Sequence, residues 1–186
     1  MNHFDFIASF YDRLIGKADT ERLRSLLKLP TGGVLLDAGG GTGRVSSALR
    51  SFVGELVVID LSHRMLQQAR HKGALWPVRA HAEILPFRDN IFDRIIIVDA
   101  LHHFCNQEKA IGDIVRVLKP GGRLVIEEPD ISRNPVRAVA WMEKFTGMQS
   151  RFYTSTEIIH MITGHGLAAC VADFDRFRMW LVADKQ

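Results

Sequence analysis

Apolar residues recur along this chain in two rhythms, stripes at helical spacing and short unbroken runs, and the order of the two predicts its architecture. Phe6, Ile7, Phe10 and Leu14 form one helical stripe; after a break at Gly16, Leu23, Leu26 and Leu27 form a second that ends at Pro30. Residues 34–38 are an apolar run closed by glycines, which predicts a buried strand feeding a helix over about 44–51. The run 56–60 is a second strand, followed by Ser62 as N-cap of a helix that buries Met65, Leu66 and Ala69 and stops near Gly73. Residues 78–82 give a third strand and 92–99, with Ile95-Ile-Ile-Val98, a fourth. Ala110, Ile111, Ile114, Val115 and Leu118 share one face of the next helix, which ends at Lys119-Pro-Gly-Gly122, and 123–127 is a fifth strand.

Beyond it the alternation breaks. Residues 135–145 read as a helix, 152–154 as a loop, and Ser155 or Thr156 as the cap of a helix through Ile158, Ile159 and Ile162 that stops at Gly164 and Gly166. The runs 167–174 and 177–183 read as a closing antiparallel pair. The expected fold is α/β, a Rossmann-like doubly wound sheet of five parallel strands plus a C-terminal antiparallel hairpin, with helices on both faces. One domain over 1–186 is expected: 1–30 a helical cover, 31–128 a ligand-binding core, 129–154 a covering segment, and 155–186 the last helix and hairpin. Ligands of such sheets bind outside the carboxyl ends of the strands where strand order reverses, so functional residues are expected at about 37–43, 60, 81–83, 99–103 and 127–130.

Composition narrows this little. With 186 residues, 47% hydrophobic and 24% charged, the chain suits one folded α/β domain and not a disordered one. The formal charge of +3 comes from Lys and Arg spread along the chain, so no nucleic-acid partner is expected. Cys105 and Cys170 stand in no metal-ligand spacing, which predicts reduced thiols and no metal site. Asp5 and Asp12 lie where a signal peptide would be basic and apolar, and no run reaches about 18 apolar residues, so a cytoplasmic protein without a membrane span is expected.

Chemistry concentrates at Asp37-Ala-Gly-Gly-Gly-Thr-Gly43, between a strand and a helix, where glycines let backbone amides approach a ligand. A dinucleotide site requires Gly-x-Gly-x-x-Gly; counted from Gly39 the third position falls on Arg44, and counted from Gly41 on Ser46. No Gly-Lys-Ser/Thr follows, so a phosphate loop is also excluded. Asp60, at the end of the second strand, is placed to accept both hydroxyls of an adenosine ribose and would serve either cofactor class.

The spacing of Gly39, Gly41 and Gly43 behind Asp37 resembles motif I of the class I S-adenosylmethionine-dependent methyltransferases. His81-Ala-Glu-Ile-Leu-Pro-Phe-Arg-Asp-Asn-Ile-Phe-Asp93 and Arg116-Val-Leu-Lys-Pro-Gly-Gly122 resemble two further segments of that family. The resemblance covers about 31–128 and is nearest to the ubiquinone/menaquinone-biosynthesis-like, small-molecule branch (methyltransferase type 11). It implies S-adenosylmethionine as cofactor, with Gly39, Gly40 and Gly41 around its methionine part, Asp37 near its amino group, Asp60 on the ribose, and Leu61 and Met65 against the adenine. Tyr11, His81, Ala82, Glu83 and Asp99 complete the implied cofactor set. His81 stands where the family usually has an Asp that accepts from the adenine amino group. A neutral imidazole can accept and a protonated one cannot, so cofactor affinity is expected to weaken as pH falls through the titration of His81.

Asp99-Ala-Leu-His-His-Phe104 lacks the Asn/Asp-Pro-Pro-Tyr/Phe signature of nucleic-acid amino methylation. The expected partner is a small-molecule methyl acceptor, aromatic or quinone-like. Methyl transfer from a sulfonium needs alignment and a water-poor pocket more than a base. Where a base is needed, His102, His103 and Glu128 are the candidates, with Asp130 and Tyr153 behind them. Phe10, Tyr11 and the segment 129–154, with Trp141, Met142, Phe145, Phe152 and Tyr153, are expected to roof the acceptor; Arg133, Arg137, Lys144 and Arg151 would suit an acidic group on it. The competing readings are a cofactor-binding protein without catalysis and an NAD(P)-dependent oxidoreductase.

Overall fold

The computed structural model describes residues 19–132, 136 and 150–186. The expected first helix, with Phe10 and Tyr11, lies outside them, as does all of the 135–145 helix except Val136, which is buried. Arg133, Arg137, Trp141, Met142, Lys144 and Phe145 also lie outside the described residues.

Helix α1, Thr20–Leu26, is capped by Asp19, whose carboxylate accepts from Arg22 N, and it buries Leu23. Strand β1, Thr31–Ala38, then runs into the glycine loop, and α2, Arg44–Leu49, tightens into a 3₁₀ turn at Arg50–Phe52. Strand β2, Val53–Asp60, leads to α3, His63–His71, whose N-cap Ser62 accepts from Met65 N at 3.2 Å as expected. Strand β3, Trp76–Arg79, β4, Phe92–Val98, helix α4, Gln107–Val117, and β5, Leu118–Pro129, follow. Helix α5, Ser155–Gly164, and strands β6, Ala168–Phe174, and β7, Arg178–Asp184, end the chain.

The seven strands form one sheet in the order β3-β2-β1-β4-β5-β7-β6. Strands β1 to β5 pair in parallel and β7 lies antiparallel between β5 and β6, so the expected sheet is the observed one. Its central strands read as unbroken apolar runs because both of their faces are buried. Leu36, Ile95, Ile97, Leu124 and Ile126 pack with Ile111 and Ile114 of α4 and with Ile158 and Ile162 of α5. Leu35, Ile96 and Val125 turn the other way, onto Leu23 and Leu27, Leu49 of α2, and Leu66 and Ala69 of α3. Truncating such a residue to Ala costs roughly 2–5 kcal/mol.

Three boundaries differ from the expectation. The third strand is Trp76–Arg79, not 78–82, because its pairing with β2 runs out opposite Asp60 and the chain turns into an isolated bridge between His81 and Ile84. Lys119-Pro-Gly-Gly122 is not a free turn but part of β5, since Leu118 pairs with Phe92 and Gly121 N donates to Lys185 O at 2.7 Å. The cap of α5 is Thr154, not Ser155 or Thr156: its hydroxyl accepts from Glu157 N and Glu157 accepts in return from Thr154 N, a reciprocal box that neither neighbour can form.

The two downstream segments of the resemblance are clamped together. Arg116 on α4 donates to the carbonyls of Leu85 and Phe87 and to Asp113 and Asp89, while Asp113 accepts from Leu85 N at 2.5 Å. This fixes the loop between β3 and β4 against the last turn of α4, by the amino ends of β4 and β5.

Candidate active site

Strand order reverses between β1 and β4, and a cavity of about 230 Å³ opens there at the carboxyl ends of the strands. The loop after β1 makes its floor. Gly41 and Gly43 have φ of +55° and +70°, a left-handed backbone that side chains resist. At Gly40 the constraint is close approach, since a Cβ there would stand 2.5 Å from the Asp37 carboxyl carbon. Gly39 N and Gly40 N donate to Ile59 O at 2.9 and 3.0 Å, which ties the loop to the end of β2. A Cβ on Gly41 would meet only Asp60 Oδ2 and Met65 Sδ, at 3.9 and 4.0 Å, so the space above it is an open cradle.

Of the expected cofactor residues, Asp37, Gly39, Gly40, Gly41, Asp60, Leu61, Met65, Ala82, Glu83 and Asp99 line this one cavity. Tyr11 lies outside the described residues. His81 is not in the lining: its side chain is 59% exposed, with Nδ1 3.7 Å from Glu83 Oε2. The polypeptide turns at the His81–Ile84 bridge, so Ala82 and Glu83 face inward while His81 faces out. Asp60 accepts from Gly41 N at 3.1 Å through Oδ2 and from Ser62 N at 2.7 Å through Oδ1, which fixes the plane of its carboxylate.

Asp37 is buried and accepts from Ser46 Oγ at 2.5 Å. Burial pushes its carboxyl up to about 6, against the pull of Ser46 and Arg44. Asp99 adopts φ +50°, uncommon for a residue with a side chain, and its amide donates to Glu127 O. Burial also raises its carboxyl above the usual range, although Arg178 Nη2 lies 3.9 Å away and opposes this. Arg178 and Trp180 Nε1 both donate to Glu127, which is fully buried beneath the site.

The three residues expected as bases separate into two groups. Glu128, 3% exposed, accepts from Ala100 N at 2.8 Å and Leu101 N at 2.7 Å through Oε1, and contacts His102 Nδ1 at 2.6 Å through Oε2. A carboxylate can only accept, so Nδ1 of His102 carries a proton, and the ring stacks on Phe152 at 4.5 Å. Neither Glu128 nor His102 lines the cavity; together they hold the turn after β4. His103 does line it, with Nδ1 3.1 Å from Ser150 Oγ. Burial, helped by the neighbouring His102, lowers His103 to about 3, so its ring is neutral near pH 7. Asp130 accepts from Ser132 N and stands apart from the cavity lining, and Tyr153 reaches Gln107 Oε1 at 3.4 Å.

Arg44, Ala100, Phe104 and Cys105 also line the cavity and were not read from the sequence as cofactor residues. In the sequence Arg44 breaks the dinucleotide pattern, and its place directly after Gly43 is the signal that points to the cavity. Among the described residues the lining therefore carries four carboxylates, Asp37, Asp60, Glu83 and Asp99, against one guanidinium, that of Arg44.

Residues 36–126 match the protein-family model described as methyltransferase domain. Over these residues the chain is similar to methyltransferase domains. The methyltransferase segment is similar to the ubiquinone/menaquinone biosynthesis C-methyltransferase UbiE of Escherichia fergusonii, 41% identical over 107 residues, which is 52% of this chain and 43% of that protein. The chain thus spans less than half the length of the curated relatives it matches. Two solved structures share the methyltransferase fold. One is a chain of the complex between the Haloferax volcanii Trm112 methyltransferase activator and the putative methyltransferase, with TM-score 0.82 and 18% identity over 100% of this chain and 99% of that one. The other is a Haemonchus contortus phosphoethanolamine N-methyltransferase 2 in complex with phosphomonomethylethanolamine and S-adenosylhomocysteine, with TM-score 0.77 and 20% identity over 97% of this chain and 58% of that one. No helix among the described residues is long and apolar enough to cross a membrane.

Proposed function

We propose that the protein transfers the methyl group of S-adenosylmethionine to a small-molecule acceptor and that the cavity at the ends of β1, β2 and β4 holds the cofactor. The observation that carries this reading is the charge of the lining. Four carboxylates against one guanidinium suit a ligand with a sulfonium, an ammonium and a ribose diol. The same lining repels the pyrophosphate of a dinucleotide, which weighs against the oxidoreductase reading.

Each residue then has a definite task. Asp37 faces the ammonium, whose charge restores the carboxylate that burial disfavours. Asp60, in the cavity wall, accepts the ribose hydroxyls, while Leu61, Met65 and Ala82 enclose the adenine. The open cradle above Gly41 lets the cofactor lie against the backbone. When bound, the cofactor supplies an electrophilic methyl: an acceptor electron pair attacks in line, the carbon–sulfur bond breaks with its pair going to sulfur, and the acceptor's proton leaves. Neutral His103 adds no second positive charge beside the sulfonium. Asp99, at the cavity wall and made more basic by burial, is placed to take the proton where the acceptor has one to lose.

The similarity to UbiE supports an aromatic or quinone-like acceptor methylated on carbon. Exposed, unpaired Cys105 and Cys170 suit a reducing, cytoplasmic setting, and the packing of α5, β6 and β7 onto the sheet supports one domain. Incubation with S-adenosylmethionine carrying a labelled methyl, and a panel of phenols, quinols and amines, tests the reaction. Label in any panel member is the expected result; tight cofactor binding with no acceptor labelled would favour a binding protein without chemistry.

A further inference from the structure

A second cavity, of about 390 Å³, adjoins the first, and Cys105 lines both. Its walls come from the start of α4, with Asn106 and Gln107, and from Arg151, Tyr153, Glu157 and His160 at and before α5. Gln107 is 2% exposed and accepts from Tyr153 Oη at 3.4 Å, yet its Nε2 has no hydrogen-bond partner among the described residues. Native folds keep few such groups, and a buried amide N–H pair with no acceptor calls for an explanation. The two carboxylates of the wall, Glu108 and Glu157, are already engaged. Glu157 is occupied by Thr154 N and Oγ1, and Glu108 lies 3.2 Å from His165 Nε2. The first turns of α4 and α5, of 11 and 10 residues, both bring the positive ends of their dipoles to the cavity, and Arg151 adds a guanidinium.

We propose that this second cavity seats the methyl acceptor and that Gln107 Nε2 and Arg151 grip an sp² oxygen on it, a carbonyl or a carboxylate. The assignment rests on the reading of the first cavity as the cofactor site, since only then does the shared wall at Cys105 lead toward a methyl donor. The acceptor's oxygen fills the orphaned amide, and its reactive atom points back past Cys105 and Phe104.

The test uses the full chain saturated with S-adenosylhomocysteine and three probes, 4-hydroxybenzamide, 4-hydroxybenzoate and phenol, titrated by calorimetry and by the side-chain amide resonances. The benzamide and benzoate should bind about tenfold more tightly than phenol, the worth of one well-made hydrogen bond. Gln107→Met, close in volume and without the unpaired donor, should erase that advantage while leaving S-adenosylhomocysteine affinity unchanged and the melting temperature equal or higher. Arg151→Met should weaken the benzoate about tenfold and the benzamide by less than about threefold, which separates the carboxylate from the carbonyl. No preference for the sp² oxygen in the wild type, or a preference that survives Gln107→Met, would overturn the assignment. Failure of S-adenosylhomocysteine itself to bind would overturn the cofactor reading, a distinct result read before any probe is added.

Discussion

The loop after β1 has two main-chain bonds to the neighbouring strand, Gly39 and Gly40 both donating to Ile59, beside the bond from Gly41 to Asp60, whereas the turn after β4, beyond the bond from Asp99 N to Glu127 O, is held by a side chain 27 and 28 residues away, Glu128. Both turns line the same cavity. The first is a product of local backbone geometry: glycines at left-handed positions, a strand before them and a helix after. The second depends on a buried carboxylate meeting two amides and an imidazole, and extends outward through Arg151 N, which donates to His102 O at 2.9 Å, and Ser150, which meets His103. The side proposed for the cofactor thus rests mainly on local backbone geometry, and the side proposed for the acceptor on a side chain distant in sequence.

The largest effect expected from this contrast is at Asp60. Asp60→Ala removes the acceptor for Gly41 N and for the ribose together, and should weaken S-adenosylhomocysteine binding about 100-fold or more, since each bond to a carboxylate is worth about 1.5–3 kcal/mol. Calorimetry on the variant checks this; a loss under about fivefold would remove Asp60 from the site.

Next comes Glu128. Glu128→Ala leaves two buried amides unsatisfied and should lower stability by about 2–4 kcal/mol in thermal or denaturant unfolding, at about 1–3 kcal/mol for each orphaned group. Glu128→Gln keeps an acceptor for those amides and should recover part of the loss. An Ala variant as stable as the wild type would mean that the turn stands without its lock.

A smaller effect concerns pH and Asp37. Its folded value of about 6 lies above the ordinary 3.8, so the free protein keeps a proton there that the unfolded chain has lost. The stability this contributes is fully present below about pH 4 and is lost as pH rises to about 6. Cofactor binding has the opposite slope, because the ammonium demands the carboxylate: affinity should fall below pH 6, by at most about tenfold per pH unit. Asp37→Asn should flatten both profiles; a binding curve that keeps its slope in that variant would assign the proton elsewhere. The smallest effect is at His81, where substitution by Asp should change S-adenosylhomocysteine affinity by less than about threefold, because the ring faces solvent.

What was legible in the sequence follows the same division. The strands, their order of helices, the glycine loop and Asp60 announce themselves through periodicity and spacing, and their places in the sheet follow from the topology. His102 and Glu128 have the residue types of an acid–base pair, and only the fold turns both into the core. Sequence distance hides the reason: they stand 26 positions apart, with a whole helix and most of a strand between them. The same holds for Gln107, which reads as an ordinary first residue of a helix until Tyr153, 46 positions on, is brought beside it. At His81 the resemblance identified the segment, but the bridge to Ile84 turned the side chain outward and left Ala82 and Glu83 facing the cavity.

The central claim is the class of ligand that the four-carboxylate cavity accepts. Calorimetric titration of the full chain with S-adenosylhomocysteine and, separately, with NADH tests it most directly. Saturable binding of S-adenosylhomocysteine that Asp60→Ala abolishes, with no heat from NADH, is the predicted result. Binding of NADH in competition with S-adenosylhomocysteine, or of neither, would contradict it.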